Sequence, residues 1–133
     1  MFTEEHRQFR KVVAEFIENE INPNVPEWEA DGMMPLHEVF GKMGSLGMLG
    51  LEYSSEYGGG DADHFFTVVL AEEFGKAAHG SIGMALGVQT DMATPSLHRF
   101  GTEELKQKYL APAIRGEMVA AVAVTEPDAG SDV

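Results

Sequence analysis

Apolar residues recur at helical spacing along residues 4–22, where Phe9, Val12, Val13, Phe16, Ile17 and Ile21 fall at intervals of three and four and share one face. Thr3 stands where a capping hydroxyl is needed, Glu4 and Glu5 suit the positive end of the helix dipole, and Pro23 stops the run. A short helical turn around Glu27–Ala30 follows, opened by Pro26 and ended by Gly32. Leu36, Val39, Phe40 and Met43 form a second stripe that predicts a helix over 35–46. Met48–Tyr53 is too short and too glycine-rich for a helix, and Tyr57-Gly58-Gly59-Gly60 reads as a turn. Helix is predicted again over 63–78, through Phe66, Val69, Leu70 and Phe74. The next run, 81–99, is nearly uncharged and so belongs inside, with a kink expected at Pro95. Thr102-Glu103-Glu104 caps a last helix that ends near Arg115-Gly116. The pattern predicts an all-α fold class, an orthogonal bundle of about six helices over residues 1–116.

The remaining residues, 117–133, change character. Met118–Val124 is a short apolar run between Gly116 and Pro127, which predicts one short C-terminal strand. A lone strand leaves its own backbone groups unpaired, so the pattern expects its partners in further chain and 117–133 to begin a second domain. The closing loop, Thr125-Glu126-Pro127-Asp128-Ala129-Gly130-Ser131-Asp132, offers a hydroxyl, a proline-stiffened turn and a glycine beside a serine. Exposed amides near Gly130 and the Ser131 hydroxyl suit a phosphate or the polar edge of a ring, but the same residues are also ordinary turn chemistry.

Composition narrows the function. The chain has 133 residues, 44% hydrophobic and 23% charged, the mix of a globular domain. Nine basic residues against twenty-two acidic ones give a formal net charge of −13. That sign repels nucleic-acid backbones and anionic membrane surfaces alike, so neither is expected as a partner. No apolar run has the length of a membrane span, and the polar start Met1-Phe2-Thr3-Glu4-Glu5 has no signal-peptide pattern. Cysteine is absent, which excludes disulfides and thiolate ligands and fits a cytoplasmic location. His6, His37, His64, His79 and His98 show no ligand spacing, so no metal site is expected. The eight methionines read as core filler.

The loop Thr125–Asp132 matches the T-E-P-x-A-G-S-D signature of acyl-CoA dehydrogenases. Phe2-Thr3-Glu4-Glu5-His6-Arg7, Glu56-Tyr57-Gly58-Gly59, Glu72-Glu73-Phe74-Gly75 and Phe100–Leu110 agree with the same family in order and spacing. The chain as a whole resembles the amino-terminal helical domain of that family, ending inside the flavin-binding signature. The resemblance implies, for the whole enzyme, FAD as cofactor and an acyl-CoA thioester as substrate; the unpaired apolar strand and the uncovered pocket helix favour self-association, so a homo-oligomer is expected. The resemblance places Val122, Val124, Thr125, Gly130 and Ser131 along the flavin, with Ser131 also near the pantetheine arm. At Val122 the family often has an aromatic residue, and Asp128 replaces a commoner small one. The helix 81–99 corresponds to one wall of the acyl pocket, which makes Val88, Gln89, Thr90, Asp91 and Met92 the residues to test there. Core burial is the simpler reading of those five.

Dehydrogenation beside a thioester carbonyl needs a carboxylate base and a flavin that takes the hydride. In the family that glutamate lies in a carboxy-terminal helical domain, and a middle β-domain completes the flavin site. The expectation is therefore a chain without the catalytic residue, inactive by itself. The alternative is a non-catalytic helical module for oligomerisation or interaction. A related acyl-CoA oxidase or nitroalkane-oxidising flavoprotein would share this domain.

Overall fold

The computed structural model describes residues 1–131; Asp132 of the signature and Val133 lie outside the described residues. Eight α-helical segments follow in order: α1 Glu4–Phe16, α2 Val25–Asp31, α3 Leu36–Ser45, α4 His64–Phe74, α5 Gly80–Gly87, α6 Thr94–Phe100, α7 Glu103–Leu105 and α8 Ala111–Ile114. Three wide π turns join or extend them. Ile17–Ile21 prolongs α1, Val88–Ala93 joins α5 to α6, and Lys106–Leu110 joins α7 to α8. Counted as α and π runs, with the 3-10 turn Asn22–Asn24 as a break between α1 and α2, these are six helical stretches, on the segments the apolar periodicity predicts.

Each π turn ends two residues before a proline: Pro23, Pro95 and Pro112. A proline inside a helix has no N–H to donate, and its ring crowds the carbonyl four residues back. Widening the preceding turn by one residue moves that carbonyl aside and lets the helical run continue. The expected stop at Pro23 is thus a π turn followed by a short 3-10 turn, Asn22–Asn24.

The helix starts are capped as their sequences suggest. The Thr3 hydroxyl accepts from the His6 backbone N–H. The Thr3 backbone N–H donates to His6 Nδ1 at 2.9 Å, so the ring proton sits on Nε2 and is donated to Asp63 Oδ1 at 3.0 Å. Asp63 in turn caps α4 by accepting from the Phe65 N–H. The buried His6 ring therefore ties the N-terminal ends of α1 and α4 together.

α1 lies along α4. Their apolar faces form the main core with α3 and α5, built from Val13, Phe16, Phe40, Met43, Leu70 and Leu86 among others. Arg10 on α1 pairs with Glu72 and Glu73 on α4, and Lys76 also donates to Glu73. A smaller cluster of Tyr53, Tyr57, Leu110, Ala111 and Ile114, with Leu97 against it, forms a second core. The glycine loop closes on itself: the N–H groups of Gly60, Asp61 and Ala62 donate to the carbonyls of Gly50, Tyr53 and Leu51.

The strand expected over 118–124 is absent. Those residues carry no regular secondary structure, because no neighbouring strand among the described residues offers a ladder. The one β-bridge there joins Glu126 to Ala129.

Candidate functional site

The segment that carries the signature leaves the helical body through a tight joint. At the end of α8 the Gly116 N–H donates to the Ala113 carbonyl and the Glu117 N–H to the Pro112 carbonyl. Gly116 takes a left-handed φ of +75°, which makes this a Schellman ending. The joint is also packed against backbone. A Cβ on Gly116 would lie 1.9 Å from the Phe40 carbonyl oxygen, and one on Gly44 would lie 2.2 Å from that of Arg115.

Beyond the joint, two contacts hold the chain. Val119 packs against the main core. Gln89, 1% exposed, uses its whole amide on backbone. Its Nε2 donates to the carbonyls of Ala113 at 3.1 Å and Met118 at 3.0 Å, and its Oε1 accepts from the Ala120 N–H at 2.7 Å. Past Ala120 the segment is exposed. Val122 and Val124 are 42% and 56% accessible, and residues 121–125 make no backbone hydrogen bond to residues 1–116. Glu126 and Ala129 exchange both backbone bonds, at 3.1 and 3.3 Å, so Pro127 and Asp128 form the tip of a tight reversal. Pro127 suits that position because its ring already fixes φ near the value a turn requires. Thr125, Gly130 and Ser131 flank the reversal and are exposed.

The second candidate region is the π turn Val88–Ala93. Its loosened carbonyls are met by side chains. The Thr94 hydroxyl donates to the Gln89 carbonyl at 2.7 Å, and the Tyr53 hydroxyl donates to that of Thr90 at 2.9 Å. Burial pushes the Tyr53 phenol above its ordinary pKa, which keeps that donor protonated. The turn sends its residues in opposite directions. Thr90, Asp91 and Met92 line an open cleft of about 690 Å³ whose other side includes Met48, Tyr53 and His98. Val88 does not line it, and Gln89 points into the body.

The cleft rim is polar. His64 Nδ1 lies 2.7 Å from Glu52 Oε1, and the Thr67 hydroxyl donates to the same oxygen at 2.6 Å. Burial pushes the Glu52 carboxyl up, but the donors Thr67 and His64 outweigh it and leave it below the ordinary carboxylate range. Nearby, the Tyr57 hydroxyl donates to Glu103; that bond first, and burial second, push the phenol up to about 12. Among the described residues no group of three potential ligands could hold a metal ion, and no helix is long and apolar enough to cross a membrane.

The structure thus keeps the two sets of sequence candidates apart. Val122, Val124, Thr125, Gly130 and Ser131 lie on the exposed segment, while Thr90, Asp91 and Met92 lie on the cleft wall. Gln89, which the resemblance grouped with them, is buried as the simpler reading has it and anchors the segment. Tyr53, which sequence reasoning passed over, supports the π turn. A lone amide in an uncharged buried helix was the available signal for Gln89, since a buried amide must find partners.

A family model described as the acyl-CoA dehydrogenase N-terminal domain matches residues 3–117. The chain belongs to this family. A short-chain specific acyl-CoA dehydrogenase of Clostridium acetobutylicum is 39% identical over 130 residues, 98% of this chain and 34% of that protein. The crystal structure of an acyl-CoA dehydrogenase from Geobacillus kaustophilus superposes with a TM-score of 0.89 at 40% identity, covering 98% of this chain and 34% of that one. An acyl-CoA dehydrogenase from Bacillus anthracis complexed with FAD gives a TM-score of 0.88 at 34% identity, covering 98% of this chain and 22% of that one. This acyl-CoA dehydrogenase domain spans about a third of the length of the first curated relative.

Proposed function

We propose that the chain serves as the helical amino-terminal domain, residues 1–116, and the start of the flavin-binding domain, residues 117–133, of an FAD-dependent acyl-CoA dehydrogenase. The observation that carries this reading is the exposed segment after Ala120: two accessible valines, uncommitted backbone and a closed Glu126–Ala129 reversal within the family signature. Those features fit a flavin, whose ring has apolar faces and a hydrogen-bonding edge. When bound, the flavin supplies a hydride acceptor. Val122 and Val124 would cover the ring and exclude water, Thr125 would bond its polar edge, and Gly130 and Ser131 would meet the chain toward its phosphates. Ser131 would also meet the thioester's pantetheine arm. Thr90, Asp91 and Met92, with Val88 behind them, would form part of the acyl wall.

The proton-abstracting base is assigned outside residues 1–131. The family resemblance places that base in a carboxy-terminal domain, and Glu52, Asp61, Glu73, Glu103 and Glu117 are each held below their ordinary values by hydrogen-bond donors, the opposite of what a base working at neutral pH needs. Basic groups for the cofactor's phosphates are likewise assigned elsewhere, given the net charge of −13. Exposed Met84, Met92, Phe100 and Met118 support burial against further protein, and with it a homo-oligomer.

A chimera in which residues 1–131 replace the matching third of the C. acetobutylicum relative tests the reading. It is expected to hold FAD and to oxidise a short-chain acyl-CoA. A folded chimera that takes up no flavin would overturn the flavin assignment. The 133-residue chain alone, given FAD, octanoyl-CoA and an artificial electron acceptor, is expected to show no turnover, and substantial flavin reduction would refute that.

A further inference from the structure

We infer that Gln89 is a positioning residue that sets where the flavin-facing segment leaves the helical body. An amide has two N–H donors and one acceptor oxygen, and all three functions of Gln89 are committed to backbone. The partners are spread across the joint. Ala113 belongs to α8 before the Gly116 turn, whereas Met118 and Ala120 follow it. One side chain therefore fixes the angle between the last helix and the segment. The Ala113 carbonyl also accepts from Gly116, so the clip and the Schellman ending share an acceptor.

Gln89 can reach these groups because of the π turn. Its own carbonyl is taken by the Thr94 hydroxyl, and the adjoining Thr90 carbonyl by Tyr53. The backbone around Gln89 is thereby held from the cleft side while its amide works on the opposite side. Among the described residues past Ala120 none hydrogen-bonds the body, so the Gln89 amide and Val119 are the last fixed points before Val122 and Val124. A shift at Ala120 moves every later residue with it. The consequence for flavin rests on the proposal above; the clip itself does not.

Amide hydrogen exchange on the 133-residue chain tests the clip directly. The Ala120 amide is expected to exchange at least about tenfold more slowly than those of Val122 and Val124. Equal rates would overturn the clip. Gln89→Met keeps the side-chain bulk and removes all three bonds, so Ala120 should lose its protection while Val13 and Val69 in the core keep theirs. Gln89→Glu adds a pH signature. Ionised, it cannot donate to the two carbonyls and sets its charge against their oxygens, which drives the carboxylate away from the joint and from Ala120; protonated, it donates to one and accepts from Ala120. Ala120 protection should therefore return as pH is lowered, and a flat profile would count against the donor role. In the chimera, Gln89→Met is expected to weaken FAD binding about tenfold and to alter the flavin absorption band. Lost Ala120 protection with unchanged FAD affinity and spectrum would overturn the link to flavin and leave the clip standing.

Discussion

Residues 4–116 and residues 117–131 are held by different means. In the helical body, apolar faces close on one another, helix starts are capped by Thr3, Asp63 and Thr102, and ion pairs span α1 and α4. The segment has one valine in the core, one glutamine clip and a self-closed reversal. Yet it carries the densest family signature in the chain. The body supplies its own structure and so can be read from periodicity. The segment carries residues whose arrangement is completed by something other than the body.

The strongest way to break this comparison is at the joint. Gly116→Ala places a methyl group against the Phe40 carbonyl at a left-handed φ, so α3 and α8 must separate. A loss of about 3 kcal/mol is expected, read as a fall of roughly 10 °C in melting temperature. Unchanged melting would mean that the segment can leave the body by another path.

A smaller effect tests the body alone. Burial pushes the Glu73 carboxyl up, and Lys76 and Arg10 outweigh it, holding it below its ordinary value of 4.5. The stability this contributes is present above that ordinary value and is lost as pH falls through the folded one. Gln at position 73 should cost about 1–2 kcal/mol at pH 7 and remove part of the acid loss seen in urea melts below about pH 4.5. Parallel acid limbs for the two proteins would show that the pairing carries no weight.

The smallest effect is expected in the segment. Val124→Thr changes an exposed methyl to a hydroxyl and should leave stability within about 0.5 kcal/mol. In the chimera the same change should weaken flavin binding. A large stability loss in the chain alone would mean that Val124 packs on the body, and the contrast between the two regions would fail.

The six helical stretches were legible because apolar spacing, caps and prolines are local signals. The Pro127 reversal was legible for the same reason. The direction of Gln89 was not. The family resemblance grouped it with Thr90 and Asp91, but the π turn before Pro95 changes the facing of its neighbours, and whether a proline stops, kinks or widens a helix depends on packing. The strand over 118–124 was expected from apolar content, which measures burial and not pairing. Without a partner edge, content does not become a ladder. Val88 was grouped with the pocket residues by the same resemblance, and it stands two residues before Thr90, where the cleft wall begins.

The wide turn at Val88–Ala93 also acts as a phase shifter. Inserting one residue rotates everything downstream by about 100° relative to an unbroken helix. Ile82 and Leu86, upstream, face the main core, whereas Leu97, downstream, packs on the Tyr53–Leu110 cluster. One rod is thereby keyed into two separate interiors. Its length in residues, more than the identity of any one of them, sets how those interiors are aligned.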